Sequence, residues 1–430
     1  MLLLSVLLLL LLVSGAQSSH YRGTLMTYCP KETKSDGSVS VILRFKFNFD
    51  SCQDGIFQCT SGNCGVESTI LVNTKIDEAS GSWCQSEKIT TRLLPNNSPL
   101  QLAFTSSAWL SNKNGIGSWK AVTDVELRDR SDTNRPNASP QTTIFPVLRV
   151  PSNCQRNISL LAFDPDGDQV KCRYANQFQS ECESPCTPPS VLSLSPTCIL
   201  SFGATSSSNE GNYAVQMVME DFPQQSITLT HTNGAKEAQA ANERISMIPV
   251  QFALQVDSAA PSCTDGVYLP RFVSPTPEHG ARFYSPVSQT LEIKVRAEAD
   301  QSTINEILFS GPNNVNKSSS GSGSFTLKWT PSASEAGQSL PICFIVQASA
   351  SSFVYQSELR CVIVTVGDAT PPKTSHVKVV KLKIKTSMSL KDKQDEMEKA
   401  IQDQLITGGL PADIKVHLLS FGIANKTAAP

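Results

Sequence analysis

Val39-Ser-Val-Ile-Leu-Arg-Phe-Lys-Phe-Asn-Phe49 decides the class of the fold. Val39, Val41, Leu43, Phe45, Phe47 and Phe49 alternate with Ser40, Ile42, Arg44, Lys46 and Asn48. A period of two over this length predicts a strand with one buried, aromatic-rich face. Asp36-Gly37 just before it is a hairpin turn signal, because both residues tolerate the positive φ that such turns need. Strand-like runs recur downstream at 69–72, 88–94, 101–104, 121–128 and 142–150. Turn clusters separate them, among them Ser61-Gly62-Asn63 and Pro95-Asn96-Asn97-Ser98-Pro99. Short strands divided by Gly, Pro and Asn loops, without a sustained helical period, predict an antiparallel sandwich or barrel.

The first residues predict where the chain goes. Met1 is followed by an apolar run, Leu2 to Val13, and then by Ser14-Gly15-Ala16-Gln17-Ser18. A short apolar core ending in small residues reads as a secretory signal peptide cut near Gln17 or Ser19. The run falls short of the roughly 20 apolar residues a membrane anchor needs. No later stretch is apolar enough to span a bilayer, and the tail from Ile423 to Pro430 lacks the hydrophobic end of a lipid-anchor signal. The sequence therefore predicts a secreted, extracellular protein.

Composition narrows the function classes. The chain has 430 residues, 17% of them charged, with a formal net charge of -2. Nucleic-acid binding needs clustered Lys and Arg, and no such footprint or polybasic membrane patch is present. The length allows three or four cores. The expected division is residues 1–18 as signal peptide, 19–150 as a cysteine-containing β domain, 151–260 and 261–370 as two β-sandwiches, and 371–430 as a small βαβ segment.

Thirteen cysteines fall in three groups. Cys29, Cys52, Cys59, Cys64 and Cys84 come first, then Cys154, Cys172, Cys182, Cys186 and Cys198, then Cys263, Cys343 and Cys361. In an oxidising compartment this grouping predicts disulfides within or between neighbouring modules. Zinc is the rival for the close pair Cys182 and Cys186, but zinc sites usually need two such pairs, and His20, His231, His279, His376 and His417 lack ligand spacing. The odd count leaves one thiol over. Cys29 is the expected free cysteine, since the other four of its group make an even set, and an intermolecular link through it stays open. Cys343 and Cys361 lie at similar distances from a hairpin tip near Ser351-Ser352, so they are the expected cross-strand pair.

Five Asn-x-Ser/Thr sequons, at Asn96, Asn137, Asn157, Asn316 and Asn425, are candidate glycosylation sites wherever they are exposed. Pro99 and Pro140 follow the sequons of Asn96 and Asn137 and weaken them, while Asn157 lies inside a strand pattern and needs a solvent-facing side chain.

His20-Tyr-Arg-Gly-Thr-Leu-Met-Thr-Tyr28 and the cysteine-rich stretch Cys52 to Cys64 resemble the opening of a group of secreted and surface proteins, many from fish, that begin with a His-aromatic-x-Gly-Thr stretch. The resemblance covers mainly residues 20–150 and implies no activity or catalytic residue. The simplest reading of His20 and Tyr21 is an edge strand entering the sheet.

In the second module a strand at 157–163 precedes Asp164-Pro-Asp-Gly-Asp168 and another strand, Gln169–Tyr174. Gly211-Asn-Tyr-Ala-Val-Gln-Met-Val-Met-Glu-Asp221 ends in carboxylates. These segments resemble cadherin-like and immunoglobulin-like repeats, in which an Asp-Pro-Asp-Gly-Asp hairpin and a late strand closing on Asp are common. Calcium takes six to eight oxygen ligands, and Asp164, Asp166 and Asp168 offer carboxylates at close spacing, with Asp221 able to complete a site if the fold brings it near. Such a site would stiffen a junction between modules, as the resemblance implies. A plain β-turn explains the same residues. The third module repeats the plan: 325–331, Glu335-Ala336-Gly337 and 342–346 match 200–202, Glu210-Gly211 and 215–218.

In the last segment Val380, Leu382 and Ile384 alternate with Lys381, Lys383 and Lys385. Ser389 and Asp392 read as a helix start, Met397, Ile401 and Leu405 as its apolar face, Gly408-Gly409 as its stop, and Ile414, Val416 and Leu418 as a second strand. No nucleophile elbow, His-Glu-x-x-His or phosphate-binding glycine loop occurs. The expected function is a secreted binding, adhesion or structural protein that acts on an extracellular protein or glycan without catalysis or cofactor. A hydrolase with a site assembled between modules and a calcium-dependent adhesion module are the alternatives.

Overall fold

The computed structural model describes residues 20–79, 82–321, 323–367, 398–399 and 401–404. The expected signal peptide, the sequon at Asn425, His376, His417 and most of the expected βαβ segment lie outside them. Residues 398–399 and 401–404 are helical, within the stretch expected to be a helix. No described helix is long and apolar enough to cross a membrane.

The chain is mainly β, in five sheets among the described residues. The strand Tyr21–Thr33 pairs antiparallel with Val39–Phe49, whose other edge pairs with Trp83–Leu94. Gly37, at φ 84°, makes the turn between the first two where Asp36-Gly37 predicted a hairpin. The expected edge-strand placement of His20 and Tyr21 does not hold. Tyr21–Thr33 lies between Val39–Phe49 and Ser246–Asp257. The Tyr21 ring is fully buried, stacked on Trp119 at 3.9 Å and edge-on to Trp109 at 4.6 Å. Aromatic pairs at such distances add to the burial of their large apolar area. The Tyr21 hydroxyl donates to Gln251 Oε1 at 2.5 Å, which satisfies the one polar atom that the ring carries inside.

Ser246–Asp257 reorganises the expected domain division. It pairs with Tyr21–Thr33, with Gly211–Phe222 along its whole length, with Ser118–Val125 at Met247, and in parallel with Val147–Pro151. One 11-stranded sheet therefore draws strands from both sides of residue 150, and one core holds side chains from both. The boundary drawn at 150/151 falls inside this sheet, because a strand buried along nearly its whole length takes partners from the N-terminal half as well as from its own neighbourhood.

Val39–Phe49 is buried on both faces rather than one. Its aromatic face joins the core, and its polar face meets residues 311–341. Arg44 Nη1 donates to Glu87 Oε1 at 2.8 Å, Lys46 Nζ donates to the Gly311 carbonyl, and Gln85 Nε2 donates to Asn48 Oδ1 at 2.8 Å. Burial, with Arg44 beside it and Glu87 pulling the other way, lowers the Lys46 ammonium to about 8.

Residues 271–366 form a sandwich of a four-stranded and a five-stranded sheet. Ile293, Val295, Phe325, Leu327 and Trp329 from one meet Ile342, Phe344, Val362 and Val364 from the other. Period two sends the intervening Cys343, Ile345, Cys361 and Ile363 into the large core instead. The five-stranded sheet is therefore packed on both faces. The repeat read from sequence has a structural counterpart: Ile199–Phe202 and Ser324–Trp329 each lead through a 3₁₀ turn (Ser207–Asn209 and Ala333–Glu335) into a long strand of a different sheet, Gly211–Phe222 and Ser339–Ala350.

Gly23 sits at φ 124°, where a Cβ would lie 1.9 Å from the Gln251 carbonyl oxygen. Gly167, at φ 90°, has open space around it. Gly23→Ala is expected to cost more than about 4 kcal/mol, the range of backbone clashes in a core, and Gly167→Ala much less. Urea unfolding midpoints of the two variants check this; equal midpoints would show that the two strands can separate at little cost.

Candidate functional site

The four aspartates singled out from sequence do come together, and one of them is paired with an arginine that the sequence reading passed over. Asp164-Pro165-Asp166-Gly167 is a turn, closed by Gly167 N–H donating to the Asp164 carbonyl at 3.2 Å. It is not a hairpin. Arg156–Ser159 before it pairs with Ile199–Phe202 in a three-stranded sheet, whereas Gln169–Tyr174 after it pairs with Gly211–Phe222 in the large sheet. That second pairing brings Asp221 opposite Val170 and so next to the turn. Carboxylate oxygens of Asp164, Asp168 and Asp221 lie within 4.8 Å of one another, and all three residues are buried.

Arg130, whose side chain is fully buried, pairs with Asp168 and lies 3.9 Å from Asp166. Its guanidinium grips Asp168 with two bonds, one of them Nη2 to Oδ1 at 2.7 Å. It also donates to Asp132 Oδ1 at 3.0 Å and Oδ2 at 2.8 Å, and to Asn137 Oδ1 at 2.6 Å. Asp221 Oδ1 accepts from Ser246 N and Oγ, each at 2.7 Å, and its Oδ2 accepts from Asn137 Nδ2 at 2.9 Å. Asp166 accepts from Ala138 N at 2.7 Å and Arg135 Nη2 at 3.3 Å. Asp164 Oδ1 accepts from Asp166 N at 2.7 Å. Of all these carboxylate oxygens, only Asp164 Oδ2 is buried without a partner. Calcium needs six to eight oxygens, so an ion that drew on Asp168 would compete with its paired guanidinium. Thermal unfolding in chelator and in millimolar calcium is expected to superimpose. A rise of several degrees with calcium would show that an ion displaces Arg130.

The crowding has a cost at neutral pH. Burial, reinforced by Asp221, Asp166 and Asp168, holds the Asp164 carboxyl well above the ordinary carboxylate range. Burial, with Asp168 adding to it, pushes Asp221 up to about 6 against the bonds from Ser246 and Asn137. Both native values lie above the unfolded value of 3.8, so the protonated forms favour folding. That contribution is complete below the unfolded value and is lost as pH rises through about 6 for Asp221. Asp164→Asn keeps the acceptor for Asp166 N and supplies a donor where Oδ2 now has no partner. It should raise stability at pH 7.5 by about 1–3 kcal/mol, the usual penalty of a buried unpaired group, and flatten the pH profile. Denaturant titrations from pH 4.5 to 8 measure this; an unchanged profile would mean that the Asp164 carboxyl titrates alike in the native and unfolded states.

The sequons divide. Asn96, Asn157 and Asn316 are exposed, Asn137 is buried and Asn425 lies outside the described residues. Asn137 cannot carry a glycan in this fold, because its Nδ2 already donates to Tyr28 Oη, the Ala138 carbonyl and Asp221.

Six disulfides join Cys52–Cys84, Cys59–Cys64, Cys154–Cys263, Cys172–Cys198, Cys182–Cys186 and Cys343–Cys361. Cys343 and Cys361 face each other across adjacent strands, with Cα atoms 3.9 Å apart, below the usual 4.4 Å lower end. Cys182 and Cys186, weighed for zinc, are bonded to each other. Cys29 is free, half-buried in the first strand, and burial beside Asp166 pushes its thiol up to about 11. A thiol so far above neutral is a poor nucleophile, which speaks against an oligomer linked through Cys29.

Sequence reasoning also missed Phe178. It is 99% exposed on the short 3₁₀ turn Gln177–Gln179, capped by Asn176 and braced by Arg173–Glu181 bonds of 2.6 and 2.7 Å. A single aromatic without flanking apolar neighbours leaves no periodic signal. Arg130 was legible in principle, since the charged run from Arg128 to Arg135 directly precedes the sequon at Asn137.

The three described histidines stand apart. His20 Nδ1 and His279 Nδ1 are buried without a partner, and His231 Nε2 faces Arg128 Nη1 at 3.5 Å.

No family model matches the chain. It is 27% identical over 330 residues to integrin beta-like protein E of Dictyostelium discoideum, an alignment that covers 70% of this chain and 16% of that protein. The chain thus spans about a sixth of the relative's length. Among solved structures it is similar to the endo-fucoidan hydrolase MfFcnA4 from glycoside hydrolase family 107 (13% identity, 75% of this chain and 42% of that one, TM-score 0.18). It is also similar to Sidekick-1 immunoglobulin domains 1–4 (11% identity, 68% and 65%, TM-score 0.16). TM-scores this low do not establish a shared fold.

Proposed function

We propose that this protein is an extracellular binding protein, secreted through the signal peptide read at residues 1–18 and acting without catalysis. The observation that carries the reading is the disulfide framework: twelve cysteines are paired, and Cys154–Cys263 ties the large sheet to the connection entering the sandwich. Such a framework persists in oxidising compartments and is reduced in the cytosol. The likeness to an integrin beta-like protein over 330 residues supports a part in binding at or outside the cell surface. The kinship with secreted proteins opening on a His-aromatic-x-Gly-Thr stretch, inferred from His20 to Thr24, points the same way. Phe178, held out on a braced turn beside Tyr174 and Pro185, supplies the aromatic contact that binding surfaces favour.

Expression of the full chain in secreting animal cells tests this. The expected result is protein in the medium whose peptides, mapped without reductant, link Cys154 to Cys263. Retention in the cytosol with free thiols would overturn the proposal.

A further inference from the structure

Asn157 and Asn316 share a position that the other described sequons lack. Arg156–Ser159 is the outer strand of a three-stranded sheet and pairs only with Ile199–Phe202 among the described residues. Asn316–Gly321 is the outer strand of the four-stranded sheet and pairs only with Ser324–Trp329 among them. In each, the sequon asparagine and the hydroxyl residue two positions on are exposed together: Asn157 with Ser159, Asn316 with Ser318. Period two puts such a pair on one face, so the recognition unit is presented whole.

Unpaired edges offer N–H and C=O groups to any passing strand, and proteins blunt them with free charges, prolines or cover. Neither edge has a free charge. Arg156 is held by Asp265 at 2.7 Å, and Lys317 Nζ by both Asp77 oxygens at 2.9 and 3.0 Å. The rest of the second edge is serine and glycine, exposed throughout. A bulky, hydrated substituent at each asparagine would supply what the side chains do not.

We infer that Asn157 and Asn316 carry N-linked glycans that cover these two sheet edges and keep the protein from associating through them. In the modification, Nδ2 bonds to the anomeric carbon of a lipid-pyrophosphate-linked oligosaccharide. The bond from that carbon to the pyrophosphate oxygen breaks, the lipid pyrophosphate leaves, and the amide loses one proton. Asn137 has its amide donors committed in the core, and Asn96 Oδ1 is bound by Ser98 N at 2.9 Å in a turn. Neither lies on an edge strand.

The inference rests on the secretory reading, and one experiment separates the two. The full chain, N157Q, N316Q and the double variant are expressed in secreting animal cells. Intact mass is read before and after treatment of the folded protein with a peptide N-glycosidase. The expected result is one glycan lost per substitution, and light scattering that shows about a twofold or larger rise in mass once both glycans are gone. If the double variant does not fold, the folded protein trimmed by an endo-β-N-acetylglucosaminidase, which leaves one sugar on each asparagine and adds no charge, serves as control. Secreted protein bare at both sites overturns the inference and leaves the secretory reading intact. Glycans present with a double variant or trimmed protein that stays monomeric overturn the shielding role. Chain retained in the cytosol overturns both.

Discussion

A buried strand must find backbone partners along both edges, and Ser246–Asp257 meets that demand by recruiting from most of the chain. Its ladder with Gly211–Phe222 brings Asp221 to Ser246, its contact with Tyr21–Thr33 needs the absent Cβ of Gly23, and its parallel pairing with Val147–Pro151 fixes the start of the next segment. The aspartate cluster gathers at the Ser246 end of the strand, where Gly211–Phe222 carries Asp221 and pairs in turn with Gln169–Tyr174, next to Asp168. The stacked Tyr21 and Trp119 are the apolar counterpart, with the Tyr21 hydroxyl anchored to Gln251 of the same strand.

The sandwich is fixed to this body by side chains as well as by the connection that Cys154–Cys263 anchors. Alternation along its five-stranded sheet delivers one set of residues to its own core and the other to the large core. The polar face of Val39–Phe49 meets it with the Arg44, Lys46 and Glu87 group, where two cations share one carboxylate and Lys46 also donates to the Gly311 carbonyl. Isolated charges would be costly in such a place, and mutual pairing with backbone acceptors offsets that cost.

Period-two patterning and turn chemistry carried the fold class, because both are local: the run 39–49, the turn at Gly37 and the paired Cys343 and Cys361 all lie where short-range rules put them. Long-range pairing was not legible. The link between residue 25 and residue 250 leaves no trace in either segment's pattern, so a sheet shared by two halves read as two modules. The aspartate cluster was half legible. Spacing gathered Asp164, Asp166 and Asp168, and the late strand suggested Asp221, but the cation paired with Asp168 came from Arg130, some thirty residues upstream of the turn. Asn137 shows the same limit, since a sequon records composition and not whether its amide is spoken for inside.

The Cys154–Cys263 bond has a mechanical consequence. Its partners are 109 residues apart, and the bond short-circuits everything between them. If the protein were pulled from positions outside that interval, tension would pass through the sulfur atoms, and about 370 Å of chain would stay slack and folded. That reserve contains the aspartate turn, Phe178 and Asn157. Reducing that link would put the aspartate turn and Asn157 under load, while Cys172–Cys198 would still bypass Phe178, so the force at which the first two come apart is set by the redox state of one bond.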